Sequence, residues 1–176
     1  MNLTIFNLIH NLSGKNFLLD MTGIFFARFL VVILIGAGLI LAFRKKGFPA
    51  TLALLAAVGF SFLASFFVKN YFQTARPFEI LGFTPLIFPA NHFSFPSDNA
   101  AMAAGLIPLF WKENRKLRAF FITGLFLVGF GRIFVGVHWP VDILGGTVLG
   151  LISGLTVSSL YDILLTRWFD GAVRSS

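Results

Sequence analysis

Three separated stretches of the chain carry side chains suited to handling phosphate. In KNYFQTARP, Lys69 and Arg76 stand seven residues apart, two turns of helix, with Pro77 directly after them. Pro77 disfavours helix at Arg76 and is expected to end the element there. In FSFPSDNAAM, Ser97 lies just before an apolar run, the position of a helix cap. A cap at Ser97 leaves the backbone N–H groups of residues 98 to 100 unpaired and pointing outward, an arrangement that binds anions. In GRIFVGVHWPVD, Arg132 precedes His138, and Pro140 and Asp142 follow it. Proline suits a first helical turn, so Pro140 is read as N1 and Asp142 as N3. The Asp142 carboxylate can then accept a bond from one imidazole nitrogen of His138, four residues back. Such a bond fixes the tautomer and leaves the other nitrogen free to attack.

Each part alone has a plainer reading. Lys and Arg at the ends of apolar runs snorkel to the interface, a serine can cap a helix without a ligand, and an aspartate can cap beside an interfacial histidine. Together they form three cations, an open helix N-terminus and a His–Asp pair. Cations bind phosphate oxygens and stabilise the charge of phosphoryl transfer. The reading therefore depends on whether the surrounding elements bring the parts to one place.

Those elements are read as membrane helices. The chain is 57% hydrophobic and 12% charged, with 24 Phe and a mean hydropathy of +0.86. A soluble domain carries about 25% charged residues, so lipid is the expected solvent. The net charge of +7 lies in short clusters between apolar runs. It is read as topology signals and site residues rather than a nucleic-acid surface. No cysteine is present, so no disulfide framework exists. The start does not read as a signal peptide, because Asn2, Asn7, His10 and Asn11 interrupt it.

No repeat or linker is evident, and residues 1–176 are expected to form one all-α integral membrane domain. Residues 2 to 12 place Leu3, Phe6 and Ile9 on one face, with Ile5 at its edge, as an interfacial helix would. About five spans are expected, over 21–43, 50–71, 97–111, 117–134 and 140–168, the third of them short. With five crossings, Arg44, Lys45, Lys46, Lys112, Arg115, Lys116, Arg118, Arg167 and Arg174 fall on one side. The positive-inside rule makes that side cytoplasmic. Lys69, Arg76, Ser97, Arg132 and His138 then converge on the outer face.

The spacing resembles the phosphatidic acid phosphatase type 2 superfamily of membrane lipid phosphatases. Its pattern is Lys-x6-Arg-Pro, then Pro-Ser-Gly-His, then Ser-Arg-x5-His-x3-Asp. Lys69, Arg76 and Pro77 complete the first part. Arg132, His138 and Asp142 supply the third, with Gly131 in place of Ser. The middle part is Pro96-Ser97-Asp98-Asn99. Asp98 in the Gly position is similar to the subgroup acting on undecaprenyl pyrophosphate. The resemblance implies a metal-free route without cofactor. His138 would attack phosphorus and form a phosphohistidine, oriented by Asp142, while Lys69, Arg76, Arg132, Ser97 and nearby amides, those of Asp98 included, bind the phosphoryl group. It also implies a bacterial cytoplasmic membrane, with membrane lipids and a polyprenyl or other lipid phosphate as partners; oligomeric state is left open.

Asn99 occupies the position of the histidine that protonates the leaving oxygen. Asparagine donates a hydrogen bond but delivers no proton, and losing a general acid costs about 10²–10⁴ in rate. An alkoxide leaving group has a conjugate-acid pKa near ~15.7, whereas a departing phosphate monoester has a second pKa of ~6. Asn99 therefore fits a diphosphate substrate, with undecaprenyl pyrophosphate the leading one. The alternatives are another lipid phosphate, such as phosphatidylglycerophosphate or lipid A 1-phosphate, and a lipid-phosphate binder impaired by a natural or engineered Asn99. His92, seven residues earlier, is a further candidate donor. Gly145, Gly146, Gly150 and Gly154 read as a close-packing stripe, Arg28 as a snorkelling anchor or, alternatively, a contact to a lipid headgroup, His10 as interfacial, and Trp111, Trp139 and Trp168 as an aromatic belt.

Overall fold

The computed structural model describes the backbone of residues 2–174 and the side chains of residues 2–165. The side chains of Arg167, Trp168 and Arg174 lie outside the described residues. All regular structure among the described residues is helical: α1 Asn2–His10, α2 Phe17–Arg28, α3 Leu30–Phe72, α4 Pro77–Leu81, α5 Asp98–Leu106, a 3-10 turn Ile107–Phe110, α6 Arg115–Phe134 and α7 Pro140–Arg174. Three stretches, Leu30–Leu81, Arg115–Phe134 and Pro140–Leu165, are long and apolar enough to cross a membrane. They carry exposed apolar side chains such as Phe67, Phe126, Leu144 and Ile152, as helices facing lipid do.

Local chemistry sets the boundaries. Asn16 caps α2 by accepting from the amides of Leu18 and Leu19, and Asn114 caps α6 by accepting from that of Leu117. Inside α3, Gly47 adopts φ 72°, ψ −163°, which only glycine takes without strain. The chain folds back there: a Cβ at Gly38 would lie 3.0 Å from Leu54 Cδ1. The expected span 21–43 thus joins the end of α2 to the first half of α3 across a break at Phe29. Residues 50–71 form the returning half.

The expected short third span, 97–111, is a buried element. No residue of α5 is exposed, and it packs against α3, α6 and α7. Its nine residues rise about 13 Å at 1.5 Å each, and even with the 3-10 turn they fall short of a ~30 Å core. The glycine stripe makes the enclosure tight. Cβ atoms at Gly146, Gly150 and Gly154 would lie 2.4, 2.1 and 2.3 Å from the carbonyl oxygens of Ser97, Ala101 and Gly105. Backbone of α7 therefore rests directly on backbone of α5, the packing read from the sequence.

Two basic loops meet at one end of the bundle, where Lys45 and Lys46 both pair with Glu113 at 2.6 and 3.4 Å. The Lys45 ammonium holds the Glu113 carboxyl below its ordinary range. The 73–76, 82–97 and 135–139 segments lie at the opposite end. There α1 packs with only Phe6 buried, against His10, Phe83 and Trp139. Leu3 and Ile5, expected on the apolar face, are exposed. His10 is half-buried and bonds through Nδ1 to the Phe134 carbonyl at 3.0 Å, so it helps to cap α6 instead of lying loose in the interface.

Candidate active site

His138 sits in a tight turn between α6 and α7, made possible by Gly136 at φ 86°. Its side chain is buried, with Nδ1 3.3 Å from Asp142 Oδ2 and Nε2 3.2 Å from Arg132 Nη2. Guanidinium has no acceptor, so Nε2 must offer its lone pair to Arg132 and the proton must reside on Nδ1, facing the carboxylate. Two neighbours thus select the same tautomer. Burial, then the charges of Arg132, Arg76 and Lys69, hold the imidazole well below its ordinary pKa of 6.5. His138 is therefore neutral at neutral pH, with a nucleophilic Nε2 beside a cation.

Asp142 lies in the first turn of α7, as the Pro140 reading expected. Its Oδ2 also accepts from the Trp139 amide at 2.7 Å and from the Ser94 hydroxyl. Ser94 is fully buried. Its function has no local signature in sequence beyond lying three residues before Ser97. The 93–95 backbone is in turn fixed by Thr74, whose carbonyl accepts from Ser94 N and whose hydroxyl accepts from Phe95 N, both at 2.8 Å.

Ser97 caps α5 as expected, with Oγ 3.4 Å from Ala100 N. The first N–H groups of α5 have no preceding carbonyl to bond within the helix. The Ser97 amide itself donates to the Asp142 carbonyl at 3.0 Å, so the α5 N-terminus and the His–Asp pair are directly joined.

The cations divide their work. Lys69, buried at the end of α3, bonds to Asp98 Oδ2. Asp98 also accepts from Ser65 Oγ at 2.5 Å and from Asn91 Nδ2 at 3.2 Å. A carboxylate offers only acceptors, so the side chain of Asp98, a residue read as substrate-binding, faces Lys69 and positions it, and only the Asp98 amide at the head of α5 is left for phosphate. Arg76 does not share a helix with Lys69. Gln73 turns left-handed at φ 47° and ends α3 four residues before Pro77, and Arg76 instead begins α4. Its guanidinium donates to the Asn91 carbonyl (3.2 Å), Asn91 Oδ1 (2.5 Å), the Phe93 carbonyl (2.8 Å) and the Val137 carbonyl (2.7 Å). Four of five N–H groups bind protein, leaving one for phosphate. Arg132 is freer: Nη1 reaches the Ala27 carbonyl at 3.3 Å, and Nε is buried without a protein partner.

Asn99 donates through Nδ2 to the Ala27 carbonyl at 3.0 Å. It lines a cleft of about 250 Å³ with Arg28, Phe88, Asn91, Asp98 and Arg132. His92 is exposed and makes no hydrogen bond among the described residues; its neighbour Asn91 enters the site instead. The reading of His92 as proton donor has no geometric support. Arg28 and Asn91 are further residues of this cleft. The end of an apolar helix marks Arg28 as an anchor or a headgroup contact without pointing to this cleft, and Asn91 carries no signal in sequence.

The chain can thus hold a phosphoryl group against Lys69, Arg132 and the α5 N-terminus, with the His138 nitrogen alongside. Comparison with known proteins finds phosphatases of lipid substrates. The family model described as PAP2 superfamily matches residues 50–164. The undecaprenyl-diphosphatase BcrC of Bacillus subtilis (strain 168) is 35% identical, over 99% of this chain and 91% of its own. Phosphatidylglycerophosphatase B of the same organism is 31% identical, over 82% of this chain and 68% of its own. The crystal structure of Aquifex aeolicus LpxE superposes with a TM-score of 0.75 at 30% identity, covering 89% of this chain and 93% of that one.

Proposed function

The chain belongs to the PAP2 superfamily of membrane lipid phosphatases, and on that premise we propose that it hydrolyses a lipid diphosphate, undecaprenyl diphosphate to undecaprenyl phosphate, through a phosphohistidine on His138. The observation that carries the choice is Asn99. Its amide is bonded to the Ala27 carbonyl and has no proton to deliver, which suits a leaving group that departs as a phosphate. The similarity to the Bacillus subtilis undecaprenyl-diphosphatase supports the same choice.

In this reading Nε2 of His138 attacks the terminal phosphorus. Asp142, steadied by Ser94 and the Trp139 amide, holds the imidazole and stabilises its developing charge. Lys69, Arg132 and the α5 N-terminus at Ser97 bind the non-bridging oxygens. Asp98 aligns Lys69, and Arg76 braces the 91–93 loop against the 137–138 turn while offering its last N–H. Residues 1–176 act as one domain, with the site on the outer face of a bacterial cytoplasmic membrane. The clustering of Lys45, Lys46 and Lys112 at the opposite end supports that orientation. Similarity to phosphatidylglycerophosphatase B favours a second reading, a lipid monophosphate as substrate.

The test is phosphate release from farnesyl diphosphate and farnesyl phosphate in detergent without added metal. Preference for the diphosphate is expected, with an acid-labile phospho-enzyme that His138→Ala abolishes. Preference for the monophosphate refutes the substrate choice, and turnover of neither leaves a binding protein.

A further inference from the structure

We propose that the last turn of α2, Phe26–Arg28, is a wall of the catalytic cleft, and that Arg28 binds the leaving phosphate of a diphosphate lipid. The proposal rests on the diphosphatase reading above. It concerns a segment outside residues 50–164, the part matched by the family model.

Three contacts fix this turn to the site. Asn99 Nδ2 and Arg132 Nη1 both donate to the Ala27 carbonyl, at 3.0 and 3.3 Å. On the adjoining helix, a Cβ at Gly131 would lie 2.6 Å from Ala27 N and 2.8 Å from Phe26 Cβ. The missing side chain at 131 is what lets α2 approach α6 this closely. Two of the positions that depart from the family pattern, Gly131 and Asn99, therefore meet the same residue. Ala27 is fully buried by these contacts.

The next residue, Arg28, is exposed and lines the cleft beside Asp98, Asn99 and Arg132. It forms no hydrogen bond or ion pair among the described residues. Arg76 and Lys69, by contrast, are tied to protein acceptors. Arg28 is a free guanidinium on the side of the cleft where Asn99 stands in place of a proton donor. A departing phosphate monoester gains a negative charge, and a guanidinium can take it with two parallel hydrogen bonds.

The step balances without a proton from the protein. A bond forms between His138 Nε2 and the terminal phosphorus. The bond from that phosphorus to the bridging oxygen breaks, and its electron pair stays on the oxygen, now part of the lipid monophosphate held by Arg28. Water then attacks the phosphohistidine, the P–N pair returns to Nε2, and the water's proton passes to solvent as inorganic phosphate leaves.

The test compares kcat/KM for farnesyl diphosphate and farnesyl phosphate in wild type, Arg28→Gln and Arg28→Lys. The two probes share a tail, so anchoring cancels in their ratio. In Arg28→Gln the diphosphate-to-monophosphate ratio is expected to fall about 10- to 100-fold, the range for a lost charge-assisted hydrogen bond; Arg28→Lys should recover part of it. An unchanged ratio overturns the proposal, whether both rates fall together, as for an interfacial anchor, or neither does. If wild type turns over neither lipid, the diphosphatase reading fails separately. Binding of farnesyl methylenediphosphonate then decides Arg28: affinity weakened about tenfold or more in Arg28→Gln supports it, and equal affinities overturn it.

Discussion

Replacing Asn99 by histidine should change the two halves of the substrate range unequally. In the structure Asn99 Nδ2 is held 3.0 Å from the Ala27 carbonyl, at the edge of the cleft. An imidazole there has one N–H to keep that bond and a second nitrogen to present to the cleft. The second nitrogen can protonate a leaving oxygen. For an alkoxide, with a conjugate-acid pKa of ~15.7, such help is worth about 10²–10⁴ in rate. For a phosphate leaving group with a pKa of ~6 it is worth little at neutral pH. Asn99→His should therefore raise kcat/KM for farnesyl phosphate by about 10²–10⁴ and change that for farnesyl diphosphate by less than about tenfold. Both rates are measured on one preparation, at substrate well below KM, because delivery from micelles can mask chemistry. A wild type dead on both lipids with an Asn99→His variant active on both would show Asn99 to be a disabling residue. The leaving-group argument would then be wrong, although the fold and the phosphate-binding groups would stand.

Acid should act on stability through His138. Its folded pKa is depressed, so the unfolded chain takes up the proton first. This group's contribution is fully present above about pH 6.5 and is lost as pH falls toward the folded pKa. The wild-type thermal midpoint should decline below pH 6.5 more steeply than that of His138→Gln; a contribution that grows on acidification would mean a charged imidazole in the fold. Gly150→Leu drives a Cβ to within 2.1 Å of the Ala101 carbonyl, while Gly36→Leu places one where no atom lies within 4 Å. The first substitution should destabilise by about 1–3 kcal/mol or more and the second should be tolerated, as thermal midpoints in detergent will report; equal effects would refute direct α5–α7 backbone contact. In a chain without native cysteine, Phe88→Cys should react with an impermeant maleimide in intact cells and Lys45→Cys only after lysis, and the reverse would invert the orientation.

What could be read from sequence was what obeys local rules. Ser97 before an apolar run, Pro140 with Asp142 two residues on, and glycines at 146, 150 and 154 each announce a cap or a close helix contact within a few residues. The long apolar segments and the clustering of basic loops were legible for the same reason. Tertiary partners were not. Gln73 ends α3 in a left-handed conformation without the usual glycine, so Pro77 marked a helix boundary near Arg76 but not that the chain had already turned at residue 73. That the Asp98 side chain faces Lys69 and Ser65 has no signature in the residues around it. Asn91 and His92 are adjacent polar loop residues, and only the path of the backbone decides which enters the cleft. Arg28 had the look of an anchor because nothing nearby in sequence shows that Asn99 and Arg132 converge on Ala27. The brevity of α5 was visible, but its enclosure by three other helices was not.

The glycine contact between α5 and α7 bears on how the site responds to its host bilayer. Ser97, Asp98 and Asn99 head α5, and His138 and Asp142 head α7. A bilayer thicker or thinner than the apolar length of a helix is accommodated mainly by tilting. That torque falls on the outward faces of α3, α6 and α7. No face of α5 is exposed to receive it, and α7 cannot tilt without carrying along the helix its glycines rest upon. The distance from the His138 nitrogen to the α5 N-terminus is thus insulated from hydrophobic mismatch, whereas the depth of the cleft below the headgroups is not. Across vesicles of increasing acyl-chain length, kcat is expected to stay level and the variation to appear in KM; a kcat that follows chain length would refute the coupling of α5 to α7.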